Sequence, residues 1–409
     1  MPAGSGLTWG ERLRPWGFLT LLCLLLTALG WYGLPAKRVS VDFICYFSAA
    51  KILSTGRSPY DLGNQKATQQ ALGWDKATDG FGEYDCLPYF YPPWFALACA
   101  AFLPLGYTGG KAAFFALNIA LALSSGYLLR GMARGALGCA PPLVAPLFVF
   151  SVACVLLGQT SLLVLFLVVV AWLLLDKGHD QSAGAVLALL TIKPQLTALL
   201  LLAVLLRALR ERRWRVVVVF LFTLGLLVLI CTAIVPTWPL QMLDAPRQSP
   251  PPTEQRPWIG NTWFLLLRTF HLDGWPLWLL YSALAVPFAV AVVRAALDRA
   301  RPLSEVVALG LLAAFFVAPY ARHYDFPVLL VSAVLVAGRL PRAVGGLLLF
   351  ALVLLPYAQY VALAQLKAAT DPNGKFLVEC TFFWIPVLLA GLWFVPRRPT
   401  IESPAPKAA

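Results

Sequence analysis

The chain has 409 residues, of which 60% are hydrophobic and 12% are charged, and its formal net charge is +13. A mean hydropathy of +0.75 excludes an ordinary water-soluble domain. Several apolar runs reach the roughly 20 residues that a helix needs to cross a bilayer. We therefore expect an all-α polytopic membrane protein that forms a single domain over residues 1–409.

The apolar runs predict about twelve transmembrane helices. The first run could pass for a signal peptide, but it lacks a small-residue cleavage site and many runs follow it, so it is predicted to be a span. The run 92–104 is short and bracketed by prolines; it is either re-entrant or interfacial, or a true span if Arg130 and Arg134 are not cytoplasmic. The predicted spans are 16–35, 111–130, 142–157, 160–175, 183–192, 196–206, 216–235, 263–294, 303–320, 326–338, 343–357 and 382–395.

Basic residues are concentrated in a few connections, and this bias predicts the orientation. Five arginines fall within 207–215, and further arginines lie near residues 294–301, 339–342 and 397–398. These connections, and the tail 397–409, are predicted to be cytoplasmic. Three nearly neutral loops are predicted to face outward: 36–91, which contains juxtamembrane helices, the proline-rich 236–261, and 359–380. The positive charge thus orients the chain and gives no reason to expect a nucleic acid partner.

Lys193 interrupts an apolar run over residues 183–206 and is followed by Pro194. A charge at membrane depth costs a few kcal/mol, so such a lysine faces a cavity or a partner unless it snorkels to the interface. Pro194 breaks the helix and leaves carbonyls unpaired, which favours a built site over snorkelling. Topology places Lys193 at the outer end of two short spans, where a phosphate is its expected ligand.

Other polar residues fall at the same outer level. Gln159 and Asn261 are either ordinary cap residues or hydrogen-bond partners of sugar hydroxyls. Arg322 and His323 are either interface residues or ligands of a phosphate, since an arginine clamps phosphate oxygens and a histidine donates a hydrogen bond to them.

Asp42 begins the first outer loop and has two interpretations. In the first, Ser40 caps a helix that runs to Leu53, and Asp42 in its first turn faces the positive end of the helix dipole. In the second, the ionised carboxylate accepts the proton of an attacking hydroxyl as a general base.

The sequence offers no recognisable cofactor site. The eight cysteines lack metal-ligand spacing, although Cys86 and Cys380 both fall outside and are able to form a disulfide or to remain free. Glu83 and Asp85 are either part of a solvated loop or a weak divalent-ion site, so a metal is possible but not supported. No glycine-rich nucleotide motif is present. An outward-facing site without a nucleotide motif points to a lipid-linked donor.

Short motifs along nearly the whole chain are similar to glycosyltransferase family 87, the polyprenol-phosphate-mannose-dependent mannosyltransferases of the GT-C fold. They occur in the same order as in the family: residues 42–50 with 56–61, 91–96, Gly158 with Gln159, Gly184 with 192–194, 212–215, Gly260 with Asn261, and 323–325. The chain departs from the family pattern after Asn261, where Thr262 and Trp263 replace a more usual polar pair.

The resemblance implies a GT-C-like bundle in the bacterial inner membrane, with its site on the extracytoplasmic side. It implies transfer of a sugar, mannose first, from a polyprenyl-phosphate donor to a glycolipid or glycan acceptor, with inversion and Asp42 as base. Lys193, His323 and Arg322 are the candidate donor-phosphate ligands. The candidate sugar or acceptor ligands are Gln159, Asn261, Tyr46, Tyr324 and Asp325.

Two other functions remain open at this stage. A ligase or polymerase that uses a polyprenyl-diphosphate-linked polysaccharide shares the many spans and a charged outer loop. A lipid or sugar transporter without transferase activity would place Lys193 and Asp325 along a translocation path, although transporters often contain internal repeats and none is evident here.

Overall fold

The computed structural model describes residues 9–34, 39–75, 85–133, 137–138, 140–248, 260–370 and 380–395. Within these ranges the chain is helical and contains no β-strand. The predicted tail 397–409, Glu83 and most of the proline-rich stretch of the second outer loop lie outside the described residues. The α-helices are α1 Trp9–Gly33, α2 Phe43–Leu53, α3 Leu62–Ala71, α4 Pro93–Cys99, α5 Gly106–Met132, α6 Ala140–Leu147, α7 Val149–Leu157, α8 Ser161–Asp176, α9 Asp180–Leu189, α10 Pro194–Arg210, α11 Trp214–Ile234, α12 Trp238–Gln248, α13 Trp263–Thr269, α14 Gly274–Leu297, α15 Leu303–Val317, α16 Leu330–Arg339, α17 Arg342–Thr370 and α18 Trp384–Phe394.

Short 3₁₀ segments join several of these helices. They are Ala100–Leu105, Leu190–Ile192, His323–Leu329 and Thr381–Phe383. Two of them lie next to a charged residue: Lys193 follows Leu190–Ile192, and Arg322 precedes His323–Leu329.

Five helical stretches among the described residues are long and apolar enough to cross a membrane, and a sixth is obtained if α6 and α7, bent by 46°, form one span. The chain is thus a helical membrane protein. Other predicted spans correspond to helices of 10–17 residues, such as α8 and α15. At 1.5 Å per residue the longest of these is about 26 Å long, which is less than the ~30 Å of a hydrocarbon core.

Two predicted segments differ in the structure. The single span predicted over 263–294 is wrong, because the chain breaks between α13 and α14. His271 and Gly274 have positive φ angles of 57° and 59° there, a conformation that ends a helix. The run 92–104 forms α4 and a 3₁₀ segment, about 22 Å in all, which is too short to cross alone, and it continues into α5 as the helical stretch Pro93–Met132.

The core is built around α15, in which every residue from Glu305 to Phe316 is buried. α15 packs against α10, α14 and α16. A helix that is apolar and buried all round belongs at the centre of a bundle. By contrast α1, α11, α14 and α17 lie at the periphery, where Phe18, Phe222, Trp275 and Phe350 are more than half exposed. These helices present the surface that lipid would cover.

Arginines from separate connections gather at one end of the bundle, which we call the basic end and define by Arg207, Arg213, Arg301 and Arg339. The Arg207 guanidinium donates to the backbone carbonyls of Asp298, Arg299 and Arg301. Arg213 pairs with Asp180 at 2.5 Å and Arg339 with Glu305 at 3.2 Å. Because α10 runs from Pro194 to the basic end over 17 residues, Lys193 lies about 25 Å away, at the opposite end.

Gly184 allows α9 and α11 to touch. A Cβ atom at this position would lie 2.5 Å from the carbonyl oxygen of Val216. We expect Gly184→Ala to destabilise the protein by about 1–3 kcal/mol, since overpacking against a backbone forces the helices apart. Thermal unfolding in detergent measures this. Gly225→Ala on α11 is the matched control, because its Cβ would meet nothing within 4 Å, and equal melting of the two variants would contradict the argument.

Candidate active site

Gly158 brings the segment before α2 onto the end of α7. It adopts φ 72° at the C-terminus of α7, and a Cβ there would lie 2.8 Å from the Cα of Ser40. The Asp42 backbone N–H donates to the carbonyl of Leu157 at 2.8 Å. This close approach places Asp42 beside Gln159, although 117 residues separate them in the chain.

Asp42 is the N-cap residue of α2, but its side chain does not cap the helix. Instead its Oδ2 accepts a hydrogen bond from Gln159 Nε2. The interpretation in which Ser40 caps this helix is wrong, because the helix begins after Asp42 and the buried Ser40 Oγ has no hydrogen-bond partner among the described residues. The carboxylate of Asp42 is therefore directed away from its own helix.

Two tyrosine hydroxyls fix the orientation of the Gln159 amide. Tyr46 Oη lies 3.4 Å and Tyr91 Oη 3.2 Å from Gln159 Oε1, and the two hydroxyls are 3.1 Å apart. Since only the carbonyl oxygen of the amide accepts from a hydroxyl, Nε2 is left to donate to Asp42. The three side chains thus hold the carboxylate in one orientation.

Asp42 lies outside the apolar spans, and its surroundings alter its acidity. Burial raises the pKa of Asp42 from its usual 3.8 to about 6, against the opposing effects of the Gln159 hydrogen bond and the positive charges of Arg322 and Lys193. A carboxylate with this pKa remains ionised at neutral pH but takes up a proton more readily than an exposed aspartate.

Lys193 lies in the break between α9 and α10. Its extended backbone, with φ −135°, is the conformation that a residue before proline prefers. Pro194 cannot donate to a preceding carbonyl, and the Thr197 hydroxyl donates instead to Leu190 O at 2.9 Å and to Lys193 O at 3.1 Å. The break is therefore hydrogen-bonded and well defined.

The Lys193 ammonium is paired with a carboxylate. Its Nζ donates to Asp325 Oδ1 and, at 3.0 Å, to Ser161 Oγ, which itself donates to Asp325 Oδ1 at 2.6 Å. The side chains of Lys193 and Asp325 are only 2% and 0% exposed. Asp325 Oδ2 also accepts from the Arg322 backbone N–H at 2.9 Å and so caps the 3₁₀ segment His323–Leu329.

Both networks face one cavity of about 210 Å³. Six of the residues predicted for the site line it: Asp42, Tyr46, Gln159, Lys193, Tyr324 and Asp325. Eight further residues line it that were not predicted for the site: Cys45, Tyr91, Gln195 and Tyr320, and the apolar Leu87, Pro88, Phe90 and Ile192. The sequence context could have predicted two of these residues as part of the site. Gln195 directly follows the Lys193–Pro194 break, and Tyr91 begins the motif 91–96.

Three predicted residues are not among those that line this cavity. Arg322 lies beside it, with its guanidinium carbon 5.8 Å from the Tyr324 ring. His323 packs beside aromatic rings, 6.2 Å from both Phe150 and Tyr360. Neither residue is therefore part of the cavity wall.

Asn261 is the third of these residues. Its backbone N–H donates to Ala321 O at 2.8 Å, which ties it to the segment that carries Arg322. Its buried amide has no hydrogen-bond partner among the described residues.

The described part of the chain contains no group of three or more metal-ligating side chains. Cys86 is a free buried thiol, so the disulfide with Cys380 is not formed in this structure.

A family model for glycosyltransferase family 87 matches residues 89–319, more than half of the chain. The chain belongs to glycosyltransferase family 87. The matched range includes Gln159, Lys193 and Asn261, whereas Asp42 precedes it and the segment that carries Asp325 follows it. No curated protein and no solved structure matches this family 87 glycosyltransferase.

The ion pair at the cavity predicts non-additive effects on stability. Lys193→Met alone leaves a buried carboxylate unpaired, and we expect it to cost about 3–5 kcal/mol. The double variant Lys193→Met with Asp325→Leu removes both charges and should unfold at a higher temperature than either single variant. Thermal unfolding of the four proteins completes a double-mutant cycle, and additive losses would show that the two charges are not coupled.

Proposed function

We propose that this glycosyltransferase moves a sugar, mannose first, from a polyprenyl-phosphate donor to a glycolipid or glycan acceptor on the extracytoplasmic face of a bacterial inner membrane. The observation that carries the proposal is the Asp42 carboxylate, held by Gln159 in a cavity at the end of the bundle opposite the basic end. The concentration of arginines at the other end supports the orientation. A GT-C architecture is part of the same proposal.

Asp42 is the proposed general base. Its Oδ1 accepts no hydrogen bond from the described residues, whereas Oδ2 is bound by Gln159. The acceptor hydroxyl gives its proton to this free oxygen while its own oxygen attacks the anomeric carbon. The bond between that carbon and the donor phosphate breaks, and the phosphate leaves with the electron pair. Attack opposite the leaving group inverts the anomeric centre, so a β-linked donor gives an α-linked product.

Lys193 is proposed to contact the donor phosphate in spite of its ion pair. An ammonium has three N–H groups, of which Ser161 and Asp325 take two, and Lys193 also lines the cavity. Because Asp325 offsets the charge of Lys193, further positive charge is needed for the donor phosphodiester, which carries one negative charge and becomes a dianionic monoester as the sugar leaves. Arg322 and His323, on the segment that carries Asp325, are proposed to supply it.

The remaining predicted residues divide into two groups. Tyr324 and Asn261 are proposed to meet the sugar or acceptor, Tyr324 from the cavity wall and Asn261 through its unbonded amide. Tyr46, Gln159 and Asp325 already bind protein groups, so we propose that they act on the substrates mainly by positioning Asp42 and Lys193.

We expect Asp42→Asn to retain donor binding but to lower transfer by about two to four orders of magnitude, because an amide cannot accept the proton. Purified protein is incubated with a panel of polyprenyl-phosphate sugars, and the product linkage is determined by mass spectrometry and NMR.

Asp61→Asn is the matched control for this variant. Asp61 lies in the same loop and caps α3 through a 2.7 Å hydrogen bond to Asn64 N, which asparagine also makes well. Turnover by Asp42→Asn at the level of this control would remove Asp42 from the mechanism. Transfer only from diphosphate-linked glycans would replace the proposed donor with that of a ligase or polymerase.

The raised pKa of Asp42 predicts the pH dependence. Since the base must be ionised, transfer should fall as the pH drops below about 6. Gln159→Leu removes a hydrogen bond that favours the ionised form, so the fall should begin at higher pH, with about tenfold less transfer near pH 6 than in the wild type. Gln70→Leu, on the exposed face of α3, should leave the profile unchanged. A profile for Gln159→Leu that is lowered equally at every pH would indicate lost packing rather than altered acidity.

A further inference from the structure

A second cavity opens at the basic end, at the far side of the bundle from Asp42. It has a volume of about 340 Å³. Its wall includes Arg301 and Pro302 before α15, Glu305 in the first turn of α15, Arg339 at the end of α16, and Trp393 on α18. The proposed transfer reaction uses none of these residues.

Trp393 and Glu305 hold the Arg339 guanidinium in place. Its central carbon lies 4.0 Å from the centroid of the Trp393 ring, so the planar group stacks on the indole. Nη2 lies 3.2 Å from Glu305 Oε2, yet it is buried and forms no hydrogen bond with the described residues. Glu305 thus offsets the charge of Arg339 without forming a hydrogen bond to Nη2, while Arg339 remains part of the cavity wall.

Arg301 adds a second cation to the cavity wall. Its side chain is 44% exposed, and its Nε lies 3.6 Å from Asp298 Oδ2, beyond hydrogen-bonding distance. Two arginines and one glutamate give the lining a net charge of +1. The N-terminus of the 15-residue α15 points into the same region and adds partial positive charge. The cavity is therefore built for an anion.

The rim of the cavity is apolar on one side. Phe394 and Val395 line the cavity and are 56% and 60% exposed. Along α18, Val387 and Leu388 are also exposed. This surface would be covered by hydrocarbon in a membrane, and it leads directly to the arginines.

From these observations we propose that the cavity binds the phosphate headgroup of an anionic membrane lipid, with the acyl chains lying along α18. Arg301 and Arg339 bind the phosphate, and Trp393 holds Arg339 in position. Basic cavities between helices at the cytoplasmic side of a membrane are a common form of lipid-headgroup site. The proposal concerns a lipid that is neither donor nor acceptor, so it does not depend on the proposed function.

The test is native mass spectrometry of the full-length protein in a neutral detergent, titrated with phosphatidylglycerol, phosphatidylcholine or soluble glycerol 3-phosphate. The double variant Arg301→Gln with Arg339→Gln should bind phosphatidylglycerol about thirtyfold more weakly than the wild type, and Arg301→Gln alone about fivefold more weakly. The single variant changes an exposed side chain and should keep the fold even if Arg339 is needed for it.

Arg210→Gln is the matched control, because it removes the same charge from an exposed position at the same end without touching the cavity wall. It should bind phosphatidylglycerol like the wild type. Equal binding of phosphatidylglycerol and phosphatidylcholine, or wild-type binding by the Arg301 variant, would overturn the proposal. If glycerol 3-phosphate bound as tightly as the lipid, the ligand would be a soluble phosphate ester and the lipid assignment would be wrong.

Discussion

The ion pair between Lys193 and Asp325 joins two breaks in the helical chain, and the candidate site is built upon it. One break precedes Pro194, and the other is the 3₁₀ segment His323–Leu329. Neither charge is exposed, and each would cost several kcal/mol without the other. Ser161, at the start of α8, binds both partners. The pair therefore fixes the relative positions of three chain segments and forms one wall of the cavity.

Asp42 is positioned by different means. Close backbone contact at Gly158 brings it to the cavity, and the Gln159 amide orients it, so no permanent charge partner is needed. A direct ion pair with an arginine or lysine would lower the pKa of Asp42 and weaken it as a base. Burial has the opposite effect, and the result is a pKa of about 6. Burial thus outweighs the nearby positive charges of Arg322 and Lys193, which favour the ionised form of Asp42.

The sequence predicted the positions of the polar groups better than their partners. A lysine and proline within an apolar run indicated a broken helix. The clustering of arginines indicated the basic end of the bundle, which lies opposite to Lys193. Asp325, 132 residues from Lys193, was assigned to the sugar or acceptor because no local pattern reveals such a pairing. The break at His271 was missed because long apolar runs lie on both sides of residues 268–274, although Asp273 and Gly274 form a typical turn pair. Hydropathy also predicts spans over the short core helices, but it does not reveal that they are buried in protein rather than covered by lipid.

The lengths of the helices place the cavity below the outer ends of the surrounding helices. α11 and α14 have 21 and 24 residues, about 32 and 36 Å, and each has one terminus at the basic end. α10 and α15 reach that same end with 17 and 15 residues, about 25 and 22 Å. The central helices therefore stop about 7–14 Å before the peripheral ones. Polar groups at their ends therefore lie in a depression that longer, hydrocarbon-facing helices surround.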